Sequence, residues 1–353
     1  MSNPSRNDNG NRPARHDPYA ALRSRDFRLL LAGNFIGSFS NQMVSFAIGW
    51  ELWLRTKNAL VLGLVGLVQV TPVVLFSLIA GHLADQHDRK FIVILTQAVL
   101  AVSSLGLAAV SFSQGSVALI YLCLFGIGVA RAFNGPAAST LLPQTVPPED
   151  FTNASTWSSS VWQLASIIGP AVAGLLVALL SRVFYIYAFD ALAGLTFLVL
   201  VIQIHGRPLA LSRKSATWDS LKEGIRFIRS TKEILAAITL DMFAVLFGGA
   251  VTLLPVYATD ILHVGAAGLG IMRAAPSIGA LLMAIVLAHL PPLKRAGRTL
   301  LIVVTGFGLA TILFGWSRNF LLSVVTLAAT GALDNVSVVI RKTLTLTRTP
   351  DEM

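Results

Sequence analysis

The sequence predicts an all-α polytopic membrane protein built as two related helical bundles, and three observations carry that expectation. Hydrophobic residues make up 54% of the 353-residue chain and charged ones 12%, with a mean hydropathy of +0.71. A soluble domain holds about 25% charged residues. Several near-apolar stretches exceed about 18 residues, the length at which a helix crosses a hydrocarbon core of about 30 Å. Finally, the 27 lysines and arginines gather in alternate gaps between those stretches.

The first 26 residues are polar, with Pro, Asn, Arg and Asp throughout, and read as a disordered tail. A cleaved signal peptide is not expected. Its apolar core would be short and end in a small-residue site, whereas here a full-length span runs into Trp50 and Trp53. Ten spans are expected, at about 27–51, 60–82, 90–112, 117–139, 157–180, 184–205, 234–258, 265–290, 299–317 and 320–342. They divide into an N-terminal six-helix bundle (27–205), a linker (206–233) and a C-terminal bundle of four helices (234–353).

The tail holds six basic residues, the second gap two, the linker seven, the eighth gap three, and the stretch after the tenth span three, including Arg341. The odd gaps hold four: Arg55, Lys57, Arg182 and Arg318. Arg131 and Arg273 lie inside spans. Lysine and arginine mark the cytoplasmic side. The N-terminus is therefore expected inside a multi-pass protein of the cytoplasmic (inner) membrane. The same distribution explains the pI near 10.3 without nucleic acid, because the basic residues form no single face. In the linker, Trp218, Leu221, Ile225 and Ile228 recur at helical spacing, as in an amphipathic helix lying on the lipid surface or a solvated linker helix.

TVPPED (145–150) follows the fourth span and RTPDE (348–352) the tenth. At nearly the same shift, Arg131–Asn134 corresponds to Leu333–Asn335. Repeat logic with six spans before the linker and four after it expects twelve in all. The ten spans present therefore read as a chain cut short. The one cysteine, Cys123, excludes an internal disulfide or a cysteine metal cluster.

Residues 81–90, GHLADQHDRK, fall in the short second gap. Gly81 would let two helices approach, and Asp85 could pair with basic residues at helix ends and latch one conformation. Alternatively, these charges only anchor the turn in the headgroups. The stretch resembles the loop signature of the major facilitator superfamily, roughly G-x-L-A-D-R-x-G-R-[KR], through Gly81, Leu83, Ala84, Asp85, Arg89 and Lys90. Gln86 and Asp88 depart from it. Arg131-Ala-Phe-Asn134-Gly135-Pro-Ala137 resembles the superfamily's fourth-helix pattern. Gly169-Pro170 with Gly174 is similar to the fifth-helix motif of its drug antiporters, although Ala165 and Ala173 replace two glycines.

Within the superfamily the chain is similar to the bacterial efflux branch with siderophore exporters and macrolide-efflux proteins. The resemblance implies a two-bundle fold, alternating access and proton-coupled efflux of a small amphipathic compound by a monomer with no cofactor. An importer of a small metabolite, or a non-transporting sensor on the same fold, is the alternative.

Counted at 1.5 Å per residue, Asn34, Arg131, Asp241 and Asp334 lie at similar depth, roughly 10 Å above the basic side. They come from spans one, four, seven and ten, which line the central cavity in the superfamily. Arg131 is therefore expected to pair with Asp334, Asp241 or both when the basic side is closed, or to sit in a static buried pair. Asn134 and Asp190 are further cavity or titrating candidates. An enzyme is not expected: there is no H-E-x-x-H or H-x-x-x-x-D, the six histidines are scattered, and no G-x-x-x-x-G-K-[ST] loop is present. No metal site is implied.

Overall fold

The computed structural model describes residues 17–205, 226, 228–247, 250–291 and 296–348. Most of the amphipathic linker helix expected over 206–233 lies outside the described residues. Among the described residues, ten helices of sixteen or more residues follow one another. They are α1 (Arg25–Thr56), α2 (Ala59–Gln86), α3 (Arg89–Phe112), α4 (Val117–Thr145), α5 (Phe151–Leu180), α6 (Phe184–Ile202), α7 (Lys232–Phe247), α8 (Gly265–His289), α9 (Ala296–Trp316) and α10 (Phe320–Arg348).

Their ends carry local signals. Ser24 caps α1 by accepting from the Phe27 amide, and Asn58 caps α2 by accepting from Leu60. Asp88 caps α3 through the Lys90 amide, 2.9 Å away. An Asp side chain satisfies there an amide that the first turn leaves orphaned. Lys57 and Ser181 close α1 and α5 with positive φ. Several helices outrun the expected spans; α4 continues to Thr145 and α10 to Arg348. Hydropathy marks the hydrocarbon slab, and a helix can continue beyond it into the headgroups.

Eight of the ten expected spans are long and apolar enough to cross a membrane. The first falls short in apolarity, because α1 carries Asn34, Asn41, Gln42 and Glu51. The seventh is broken: α7 ends at Phe247, and a 3-10 turn (Ala250–Leu253), a single α turn (Leu254–Val256) and a π turn (Tyr257–Ile261) complete it. Pro255 offers no amide to a continuous ladder, and π turns are common at functional sites.

Of the tail expected over 1–26, residues 1–16 lie outside the described residues, and the rest is docked on the bundle. The Ala21 amide donates to Asn153 Oδ1 at 3.1 Å, Asn153 and Trp157 donate to the Pro18 carbonyl, and Ser24 Oγ donates to the Thr145 carbonyl. Ala21, Phe27, Val146 and Ala154 are buried together. A polar, proline-rich composition gave no sign of this docking.

In the first bundle α1 lies against α5 and α6, α3 against α4 and α6, and α2 against α4; in the second, α8 and α9 both lie against α10. The α8–α10 crossing is closed by small residues. A Cβ on Gly279 would strike the Ala328 carbonyl, and one on Gly331 the Pro276 carbonyl. Without a hydrophobic force between helices in lipid, such close backbone contact supplies the attraction. Leu60, Val74, Leu179 and Trp316 stand exposed on the outside, where an apolar side chain is stable only against lipid.

Candidate functional site

The two bundles meet in one half of the molecule and part in the other. The far end carries the α1–α2 and α5–α6 turns; the basic end carries the N-terminal residues and the α2–α3 turn. At the far end Trp53 Nε1 donates to Thr259 Oγ1 at 2.7 Å, and Lys57 Nζ reaches Asp260 Oδ1 at 3.2 Å. Nearby, Gly174 of α5 faces Ala266 and Gly270 of α8 at backbone distance. This accounts for the fifth-helix motif. Gly169 turns toward α1, where a Cβ would lie 2.7 Å from Gln42 Cβ, while the Pro170 carbonyl lies against Gly270. Deeper, Gln163 Nε2 donates to the Ser277 carbonyl at 2.7 Å.

Toward the basic end a cavity of about 730 Å³ lies between α5 and the closely packed pair α8 and α10. Ser158, Trp162, Gln163, Asp334, Asn335 and Lys342 line it. Ser158 Oγ and Asn335 Oδ1 are buried without a hydrogen-bond partner among the described residues.

A second cavity, of about 260 Å³, gathers four expected residues: Asn34, Arg131, Asn134 and Asp190. Asp190 Oδ2 accepts from Ser104 Oγ at 2.5 Å, and Asn134 Oδ1 from Thr96 Oγ1 at 3.1 Å. Arg131 donates to Gln69 Oε1 at 2.7 Å and to Asn41 Oδ1. A third cavity, of about 350 Å³, lies on the other side of Arg131 and is shared with Arg273.

The pairing of Arg131 with Asp241 or Asp334 was expected for a closed basic side; in this state, open there, Arg131 meets neither. Both carboxylates instead face Arg341 of α10, Asp241 in direct contact and Asp334 at 3.8 Å. Equal depth does not by itself name a partner, because rotation about each helix axis decides which groove a side chain enters. Arg341 was counted with the cations beyond the tenth span. The signal that could have found it is its spacing of two turns from Asp334, which places both on one face of a continuous helix.

Of the α2–α3 turn, Lys90 Nζ donates to the carbonyls of Ile202 and Ile204 at 2.7 and 2.6 Å, closing the end of α6. Arg89 opens α3, half-buried. The close helix approach expected at Gly81 is not made in this structure: a Cβ there would meet nothing within 4 Å. The Asp85 side chain lies outside the described residues.

At the far end a network missed at the sequence level joins α1 to α6. Glu51 pairs with Arg55 and accepts from Tyr187 Oη at 2.8 Å. Glu51 is buried, 6% exposed.

Two helical bundles joined at one end around polar cavities define a transporter of the major facilitator type. Residues 16–340 match the family described as transmembrane secretion effector. The chain belongs to that family. Among curated relatives, the enterobactin exporter EntS of Shigella boydii serotype 4 is 26% identical over 328 residues, 93% of this chain and 78% of that protein. The EntS of Citrobacter koseri is 25% identical over the same length.

Solved structures share the fold at lower identity. A bacterial homologue of the human lysosomal transporter Spinster superposes with a TM-score of 0.68 at 15% identity, covering 96% of this chain and 76% of that one. The nucleoside transporter NupG gives 0.69 at 14%, covering 93% and 84%.

Proposed function

We propose that the protein is a secondary active transporter that works by alternating access and exports a small amphipathic compound in exchange for protons. The basic end lies in the cytoplasm and the far end outside the cytoplasmic membrane. The observation that carries this reading is the asymmetry of closure. The bundles touch at Trp53–Thr259, Lys57–Asp260 and Gly174–Gly270, yet enclose an open cavity of about 730 Å³ toward the basic end. That is one of the two states such a cycle requires. Exporter relatives and basic residues at the open end support the direction.

Two carboxylate sites suit proton coupling. Asp190 shares a cavity with Arg131, and the Asp241–Asp334 pair shares Arg341. Intramembrane ionisable residues of this kind mark proton relays. Protonating either site would weaken the attraction between its carboxylate and the arginine of the same bundle. The gap of 206–233 acts as the linker between the bundles. The assay is drug or siderophore efflux from proteoliposomes under an imposed pH gradient. Asp190→Asn and Asp241→Asn/Asp334→Asn should each abolish gradient-driven flux while preserving counterflow. Gradient-driven flux unchanged in both variants would reject proton coupling through these sites. Flux only in the opposite direction would reject export.

A further inference from the structure

The cavity beyond Arg131 contains an uncompensated positive charge. Arg273, about two turns into α8, sits between the bundles, donating from Nη1 to Ser45 Oγ at 3.2 Å. Its Nε is buried and has no hydrogen-bond partner among the described residues. Opposite it, Arg131 bonds only the neutral Gln69 and Asn41. No residue lining this cavity carries a carboxylate. Apart from Ser45, Gln69 and Thr252 the rest of the described wall is apolar, with Leu62, Val65 and Val70 of α2 among it.

An arginine inside a span costs roughly 2.5 kcal/mol or more on insertion scales, and such residues ordinarily have a counter-charge. Glu51 serves Arg55, and Asp241 and Asp334 serve Arg341. Arg273 has none in the described protein. Two guanidiniums, one from each bundle, thus converge on a cavity of about 350 Å³ whose remaining described lining is neutral and largely apolar. The planar fork of a guanidinium matches a carboxylate or similar oxyanion with two parallel hydrogen bonds.

We infer that Arg131 and Arg273 jointly bind the anionic group of an amphipathic substrate whose apolar body lies against α2. This rests on the transport reading above and names the substrate class for it. Because the two arginines belong to different bundles, the anion is held across the interface that must part during the cycle.

The test is equilibrium binding to the purified protein in phosphatidylcholine nanodiscs. The probes are dansylglycine, an apolar ring system with one carboxylate, and its neutral amide. The carboxylate should bind at least about tenfold more tightly, the gain expected from charge-assisted hydrogen bonds. Arg273→Gln and Arg131→Gln should each erase that preference, and Arg273→Lys should keep part of it if the glutamine variant fails to fold. No preference in the wild type, or an undiminished one in both glutamine variants, overturns the inference. Displacement of the probe by phosphatidylglycerol in the nanodisc also overturns it, assigning the site to a lipid headgroup. The transport reading fails separately. Carboxylate preference without gradient-driven flux sinks the transporter and leaves the anion site, whereas flux without the preference does the reverse.

Discussion

A single methyl group at Gly174 should unlatch the far end. In the observed state a Cβ at that position would lie 2.5 Å from the Ala266 carbonyl oxygen and 2.9 Å from Gly270 Cα. Both are backbone atoms and cannot rotate away, so α5 and α8 must separate. Overpacking of this kind costs about 1–3 kcal/mol. Replacing Gly by Ala also favours the helix by about 1 kcal/mol, but equally in both states, so that gain cancels. The whole cost falls on the far-closed state and should raise the far-open population roughly 5–150-fold. Ile48, 3% exposed on α1, reports the opening once replaced by cysteine in a Cys123→Ser background. The rate of its modification by a membrane-impermeant maleimide from the far side should rise by that factor in Gly174→Ala. Gly135→Ala is the control, since a Cβ there would meet nothing within 4 Å. A Gly174→Ala rate within twofold of the parent, or an equal rise in the control, would refute the reasoning.

Three further outcomes are expected. Glu51→Gln leaves the Arg55 guanidinium without its buried counter-charge, at a cost of about 3–5 kcal/mol; thermal unfolding in detergent should show a lower midpoint, partly restored by adding Arg55→Met. Lys57→Ala removes a bridge whose partners are 53% and 44% exposed, worth at most about 1 kcal/mol. It should speed Ile48 labelling less than about fivefold. Gly279→Val drives a branched side chain into the Ala328 carbonyl across the α8–α10 crossing. Size-exclusion chromatography should show loss of the monodisperse species, whereas Gly308→Val, in open space on α9, should leave it intact.

Much of the scaffold was legible in the sequence because the bilayer imposes a one-dimensional constraint. Apolar runs of fixed length and the alternation of basic gaps identified the ten helices and their order. The first and seventh spans were the weak points. There, polar residues in α1 and the interrupted segment around Pro255 give up apolarity and helical regularity where the bundles meet. The candidate site was legible by membership but not by pairing. Asn34, Arg131, Asn134 and Asp190 do share a cavity; Asp241 and Asp334 meet Arg341 in this open state, and their pairing with Arg131 was expected for the closed one.

Hydropathy and charge thus sufficed to place each residue along the membrane normal, since depth depends only on counting residues up a helix of known rise. The turn GHLADQHDRK could be assigned to the basic end in that way, but not the bonds of Lys90 to the end of α6. Partners are set by how each helix is rotated about its axis and which neighbour it meets, and those depend on long-range contacts such as Gly174 against Gly270. Only the tertiary structure could therefore give Arg341 to the two aspartates, leave Arg273 without a counter-charge among the described residues and close the bundles at one end.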